Sequence, residues 1–300
     1  MTETSGSHAR TSHPAKFPRY VLARLELYIR AEARALRRPA RVLDPFAGVG
    51  RIHDLPRRIA ETTGVEIEPE WAACRARTVE GDATALPADW TASFDVVATS
   101  PCYGNRIADH HEARDSCAGC GGTGVALSEE GCSEAPWCCS TCGRVDCVCG
   151  VLAKEMARHN RRCLVCRGQV CGSCGGNGVS KRYTYRHALG RMPAERSSAA
   201  LQWGGHYRTL HRAAWAEAHR VLRPPDPTSE DPGGLALINI KNHVRQGAVQ
   251  QVAEWHKRCL GEVGFRVLDD VELEAPGLRH GENRDARVEF ERIIVARRSP

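Results

Sequence analysis

The sequence predicts an α/β fold: a mostly parallel sheet with helices on both faces, interrupted by a small cysteine-rich insertion. Three observations predict it. The short apolar runs RVLDPFAGVG, TGVEIEPEW, FDVVATSPCYGNR and GLALINIKN carry polar residues or glycine turns toward their C-terminal ends and alternate with helix-spaced stretches, the rhythm of strand–helix–strand units. Twelve of the fifteen cysteines fall within the 58 residues from Cys117 to Cys174, where that rhythm stops. Removing this span leaves 242 residues, the size of one α/β domain. The expected organisation is a core in two parts, 1–116 and 179–300, with the insertion at 117–178.

Composition excludes several classes. With 42% hydrophobic residues the chain can bury a core, so global disorder is ruled out. No apolar run approaches the roughly 20 residues that a bilayer crossing needs. The first residues, MTETSGSHARTSHPAKFPRY, contain neither an apolar h-region nor a cleavage site, so a cytoplasmic location is expected. The net charge is +6, and 37 of the 42 basic residues are arginine, whose planar fork suits phosphate, although codon bias would give the same excess.

The elements follow in order. Val21, Leu22, Leu25, Leu27, Tyr28 and Ile29 recur at helical spacing, so a helix is predicted from Pro18 to Arg37, ended by Pro39. Strands follow at RVLD, TGVE, TVEGD and FDVVATS, with a helix at Pro69–Arg77. Beyond the insertion come a helix at Tyr207–Leu222, the strand GLALINIKN, a helix at Ala248–Val263, and strands GFRVLDDVEL and VEFERIIVARR. The breaker-rich PPDPTSEDPGG, 224–234, reads as a loop.

Asp44-Pro-Phe-Ala-Gly-Val-Gly50 sets an acid at a strand end before two glycines, which let backbone amides approach a ligand that a Cβ would obstruct. Alone, such a turn is as often an ordinary strand-to-helix connection. Glu66 ends the next strand, where a carboxylate can accept both hydroxyls of a ribose, and Asp82 ends the third, where it can accept from an adenine amine.

DPFAGVG, GVEIEPEW, GDATALP and TSPCYGNR together resemble the motif series of S-adenosylmethionine-dependent DNA methyltransferases acting on exocyclic amines, over nearly all of the chain outside the insertion. HPAKFP, 13–18, resembles that family's N-terminal motif. The resemblance implies a Rossmann-like methyltransferase sheet, with Phe46, Gly48 and Gly50 against the methionine and sugar of the cofactor. It also implies Asp44 and Glu66 as cofactor residues with Glu66 on the ribose, Asp82 on the adenine, and Lys16 and Phe17 as further contacts.

Ser100-Pro101-Cys102-Tyr103 stands where the family has Asp, Asn or Ser, then Pro-Pro, then an aromatic. An exocyclic amine is conjugated and weakly nucleophilic, so a site must accept its hydrogen bonds while holding it in line with the methyl donor. Ser100 Oγ and the Pro101 carbonyl are the expected acceptors, and Tyr103 the expected stacking face for a flipped base. Serine is commoner among the family's cytosine N4 enzymes, aspartate or asparagine among adenine N6 enzymes. Cys102 replaces the second proline and frees φ, a loss of rigidity worth ~0.5–1 kcal/mol.

Downstream, YTYRHALGR, LQWGGHYRTLH and LINIKNHVRQG resemble segments of phage and mobile-element members of that family, implying Tyr183, Arg186, His187, Trp203, Lys241 and Arg245 along a DNA cleft. A solvated basic loop is the alternative for the stretch around Arg186. DNA is the expected partner, and a restriction endonuclease is a further one for which the sequence carries no signal.

In a reducing compartment the cysteines point to metal. Cys117/Cys120, Cys139/Cys142, Cys163/Cys166 and Cys171/Cys174 form four Cys-x-x-Cys pairs, and two pairs make a tetrahedral zinc site. CAGCGGTG and CGSCGGNG resemble the repeat of the cysteine-rich region in J-domain chaperones. That implies Cys117, Cys120, Cys171 and Cys174 for one zinc and Cys139, Cys142, Cys163 and Cys166 for another. Cys132, Cys138, Cys147 and Cys149 leave thiols for a third. The insertion is a target-recognition element or a structural staple. Two rivals to the whole reading stay open: an RNA methyltransferase with the same core, and a zinc-dependent nucleic-acid-binding protein whose core has decayed.

Overall fold

The computed structural model describes residues 17–104, 185–189, 191–245, 247–275 and 288–300. The chain divides into two compact units, Met1–Ala108 with Ala188–Pro300, and Asp109–His187. The first unit carries nearly all the described residues.

Its elements run α1 (Arg19–Leu36), β1 (Ala40–Asp44), β2 (Ala60–Glu66), the one-turn α2 (Pro69–Ala72), β3 (Thr78–Glu80) and β4 (Val96–Thr99). After α3 (Tyr185–Leu189) come α4 (Gly205–Val221), β5 (Leu235–Ile240), the hairpin β6 (His243–Arg245) and β7 (Ala248–Gln250), α5 (Val252–Glu262), β8 (Phe265–Glu274) and β9 (Phe290–Arg298). The main sheet has the order β3-β2-β1-β4-β5-β9-β8. Strands β1 to β5 are parallel, while β9 runs antiparallel to both β5 and β8. This is a Rossmann-like α/β fold.

The alternation of side chains along each strand divides the core in two. Val42, Val96, Ala98, Leu235, Leu237, Ile293 and Val295 face α1, which buries Val21, Leu22, Leu25 and Ile29 against them. Leu43, Val97, Ala236, Ile238, Ile294 and Ala296 face α4 and α5 with Trp215, Ala218, Val252 and Leu260. Because the parallel strands are covered on both faces they read as continuous apolar runs. Burial of β4 and β5 is complete along their whole lengths.

At the amino end of the sheet, fully buried Asp95 accepts from Arg38 Nη1 and Nη2 at 2.8 and 2.9 Å and from the Arg41 amide at 2.7 Å. Arg223 Nε lies 3.3 Å away, so the acid ties the loops before β1, β4 and β5 together.

Two sequence expectations need correction. The helix expected over Pro69–Arg77 is only the turn Pro69–Ala72. The chain must enter β3 at Thr78, whose amide closes a turn on the Arg75 carbonyl, while the Arg77 side chain is used on Thr62 and on the His53 carbonyl. The helix expected from Ala248 starts at Val252, because Ala248–Gln250 pair with β6 as a hairpin. Asn242 Oδ1 accepts the first-turn amide of Ala253 at 2.9 Å. Residues 224–234 form a loop as expected. No described helix is long and apolar enough to cross a membrane.

Candidate active site

In an open α/β sheet the ligand crevice lies beyond the carboxyl ends of the strands where their order reverses, here between β1 and β4. Asp44 ends β1 and Thr99 ends β4. They are joined directly: Thr99 Oγ1 donates to Asp44 Oδ1 at 2.6 Å, and the Phe46 amide donates to the same oxygen at 3.1 Å. The other oxygen, Oδ2, is buried without a partner. Burial pushes the Asp44 carboxyl up to about 7, against the lowering effect of its two donors and with further repulsion from Glu66.

The glycine turn follows, with Gly48 at φ 53° and Gly50 at φ 72°. A Cβ at Gly50 would lie 2.6 Å from the Arg75 side chain and 2.8 Å from His53, so both conformation and space demand glycine. His53, held between Thr62 and Thr78 at 2.8 and 2.9 Å, supports the turn from beneath, and burial lowers its imidazole to about 4.

Glu66 locks the turn to β2. Its Oε2 accepts the Gly48 amide at 2.8 Å and its Oε1 accepts the Glu68 amide at 3.0 Å. Burial pushes this carboxyl, too, up to about 7. The Ile67 amide is a third donor to this carboxyl, which leaves one acceptor position for a hydroxyl donor. Asp82 lies just beyond β3, where Oδ1 accepts from the amide and hydroxyl of Thr84 at 2.8 and 2.7 Å. Its Oδ2 pairs with Arg196 at 2.9 Å.

Arg191 bonds fully buried Glu68 at 2.7 Å and Glu70 at 2.6 Å, so the 191–196 segment is fastened across the ends of β2 and β3. A buried acid with an unpaired oxygen and a second acid beside a glycine turn could hold a ligand that offers a cation and a hydroxyl group.

The Ser100–Tyr103 loop leaves β4 beside Asp44. Ser100 Oγ lies 3.2 Å from the Tyr103 hydroxyl, and Asn239 Nδ2 donates toward Ser100 Oγ at 3.1 Å, Tyr103 at 2.9 Å and Glu291 Oε2 at 2.8 Å. The Tyr103 hydroxyl donates to Glu291 at 3.4 Å. Burial and the Glu291 carboxylate push its phenol well above the usual range, so it stays neutral. Tyr103 therefore has its hydroxyl turned inward into a polar cluster.

The loop is also docked on its far side. Gly104, at φ 71°, accepts the Trp203 amide at 2.8 Å, and a Cβ there would meet that amide nitrogen at 2.9 Å. Phe46 stacks on His211 at 5.5 Å.

The sequence reading missed Asn239 and Glu291. Asn239 within the apolar run LALINI, and an acid among the arginines of FERIIVARR, were the available signals, but only the antiparallel β5–β9 pairing brings the two together. It also missed Arg191 and Arg196 as partners of the cofactor-side acids.

Of the other expected residues, Phe17 is buried in the core beside α1, and Lys241 is half-buried after β5. Arg245 donates to the Trp203 carbonyl at 3.2 Å and to Gln202 at 2.8 Å. Lys16, Tyr183, the side chains of Arg186 and His187, and all eight cysteines assigned to zinc lie outside the described residues. No three described His, Cys, Asp or Glu residues are grouped to hold a metal ion.

Fold and site together define a Rossmann-like α/β domain with a candidate ligand site at the β1/β4 switch point. Compared with known proteins, the sequence matches no family model and no curated protein. Among solved structures it is similar to a TehB-like SAM-dependent methyltransferase from Corynebacterium glutamicum, with 14% identity over 93% of this chain and 96% of that one, at a TM-score of 0.36. It is also similar to 1,6-didemethyltoxoflavin-N1-methyltransferase from Burkholderia thailandensis, with 13% identity over 96% and 93% of the chains, at a TM-score of 0.40. A candidate DNA modification methylase from Thermus thermophilus matches at 18% identity over 31% of this chain and 37% of its own, at a TM-score of 0.24.

Proposed function

We propose that the protein is an S-adenosylmethionine-dependent methyltransferase acting on the exocyclic amine of a base flipped out of DNA, with cytosine N4 the favoured target. One observation carries the reading: buried Asp44, with an unused oxygen, is hydrogen-bonded to Thr99, the residue that immediately precedes Ser100-Pro101-Cys102-Tyr103. Cofactor-type acid and amine-acceptor loop are thereby fixed to each other across adjacent strands.

When bound, S-adenosylmethionine supplies an electrophilic methyl group on a sulfonium. Asp44 Oδ2 would take the ammonium of such a ligand, Glu66 a ribose hydroxyl, and Phe46 with the glycine turn its apolar and backbone contacts. Asp82 would accept an adenine amine with the lone pair on Oδ2 that Arg196 leaves. Ser100 Oγ and the Pro101 carbonyl accept the two hydrogens of the target amine and orient its lone pair. The proton that the amine loses has a path from Ser100 Oγ to the Tyr103 hydroxyl at 3.2 Å and on to Glu291 Oε2 at 3.4 Å. No covalent intermediate is needed. The preference for cytosine rests on serine at position 100, by resemblance to the N4 enzymes.

The paired thiolates of 117–174 support two zinc ions, with ligands as the sequence analysis assigns them. The functional test is transfer of labelled methyl from S-adenosylmethionine to duplex DNA, single-stranded DNA and RNA. Duplex DNA should be the best acceptor. Preference for RNA would replace the substrate class, and cofactor binding without transfer to any of the three would favour a decayed core.

A further inference from the structure

The fully buried polar groups Trp215, His256 and Tyr207 form a line that ends on the Ser100–Tyr103 loop. Trp215 Nε1 lies 3.0 Å from His256 Nδ1, His256 Nε2 lies 3.0 Å from the Tyr207 hydroxyl, and that hydroxyl lies 3.0 Å from the Cys102 carbonyl. The indole nitrogen can only donate, so His256 Nδ1 accepts. Burial, reinforced by nearby His211, holds the His256 imidazole well below its usual range. Neutral His256 therefore carries its one proton on Nε2 and gives it to the Tyr207 oxygen. Tyr207 is left with its single hydrogen aimed at the Cys102 carbonyl. Every proton in the chain has one place to go, and three buried side chains on α4 and α5 set the direction of one bond to the loop.

We propose that the Trp215–His256–Tyr207 relay is a positioning device that holds the Ser100–Tyr103 loop in its working conformation, doing for Cys102 what a rigid proline would do at that position. The inference deepens the proposed function and rests on its reading of the loop. Tyr207 and His256 touch neither cofactor nor base; they act through the backbone of Cys102.

The test uses the full chain. Tyr207→Phe keeps the ring and removes only the hydroxyl, leaving His256 Nε2 and the Cys102 carbonyl unpaired, so the melting temperature should fall by only a few degrees and the fold should be kept. Labelling of the Cys102 thiol by a small alkylating reagent, read by peptide mass spectrometry, should quicken about fivefold, the worth of one buried hydrogen bond. Exposed Cys74 is the unchanged internal control. The turnover number should fall by a similar factor while the S-adenosylmethionine Kd is unmoved. With Tyr207 intact, His256→Leu should quicken Cys102 labelling and His256→Gln, which can still donate to Tyr207, should quicken it less; in the Tyr207→Phe background His256→Leu should add nothing. Unchanged Cys102 labelling in Tyr207→Phe overturns the relay, as do His256 and Tyr207 effects that multiply. If labelling quickens but the wild type transfers no methyl group, the relay stands and the catalytic reading of the loop falls.

Discussion

Cofactor affinity should depend on pH in a way that the two buried acids dictate. Burial raises both Asp44 and Glu66 to about 7, so each holds a proton for much of the time near neutrality. An ammonium against Asp44 Oδ2 favours the ionised carboxylate and lowers its pKa by ~1–3 units. Binding then releases a proton below about pH 7, and affinity rises with pH through that range. If one carboxyl drops from about 7 to below 5, affinity should increase about 25-fold between about pH 5.5 and 7.5. Calorimetry in two buffers of different ionisation enthalpy measures the released proton directly. Asp44→Asn should weaken binding and flatten the profile, leaving whatever slope Glu66 supplies. The same shifts act on folding: stability contributed by the protonated acids is fullest below their unfolded pKa near ~4 and is lost as pH rises through about 7. Saturating cofactor should therefore raise Tm more at about pH 7.5 than at about pH 5.5. Affinity that is flat, or that falls as pH rises, would refute the assignment of Asp44 to a cationic group.

Asp95→Asn should cost ~1.5–3 kcal/mol in chemical denaturation, since it removes the buried acid that Arg38, Arg41 and Arg223 share while Arg223 keeps Asp231 and Glu32, and cofactor binding at the opposite end of the sheet should be unchanged; a loss under ~0.5 kcal/mol would contradict the structural role. Elemental analysis should return two or three zinc ions per chain and about one fewer in Cys117→Ser; a metal-free folded protein would remove the zinc reading. Cys102→Pro should preserve or raise the turnover number by restoring a fixed φ, and loss of activity would give the cysteine a role of its own.

The fold was legible wherever a local pattern decided it. Val21, Leu22, Leu25 and Ile29 announced α1, and the apolar run of β5, interrupted only by Asn239, announced a strand covered on both faces. The strand-end placement of Asp44 and Glu66 was legible because an apolar run that stops at an acid is a local signal, sharpened after Asp44 by the glycine turn. Boundaries failed where a distant partner decided them: α2 stops at Ala72 because Thr78 must pair beside β2, and Ala248 joins a hairpin whose register nothing in its own neighbourhood specifies. Asn239 and Glu291 were hidden for the same reason. They are diagonal neighbours on one face of the β5–β9 pair, 52 residues apart in sequence, and neither makes sense as a site residue until that pairing exists. The Trp215–His256–Tyr207 line was likewise unreadable, because helical spacing alone makes its histidine and tyrosine look like ordinary core.

The most direct test of the account is mass spectrometry of nucleosides from duplex DNA incubated with the protein and isotope-labelled S-adenosylmethionine. The account predicts labelled N4-methylcytosine, lost in Ser100→Ala while that variant still binds the cofactor. Labelled N6-methyladenine alone would overturn the choice of base. Undiminished transfer in Ser100→Ala, or no labelled nucleoside from a protein that binds the cofactor, would contradict the assignment of the Ser100–Tyr103 loop as the place where the amine is held.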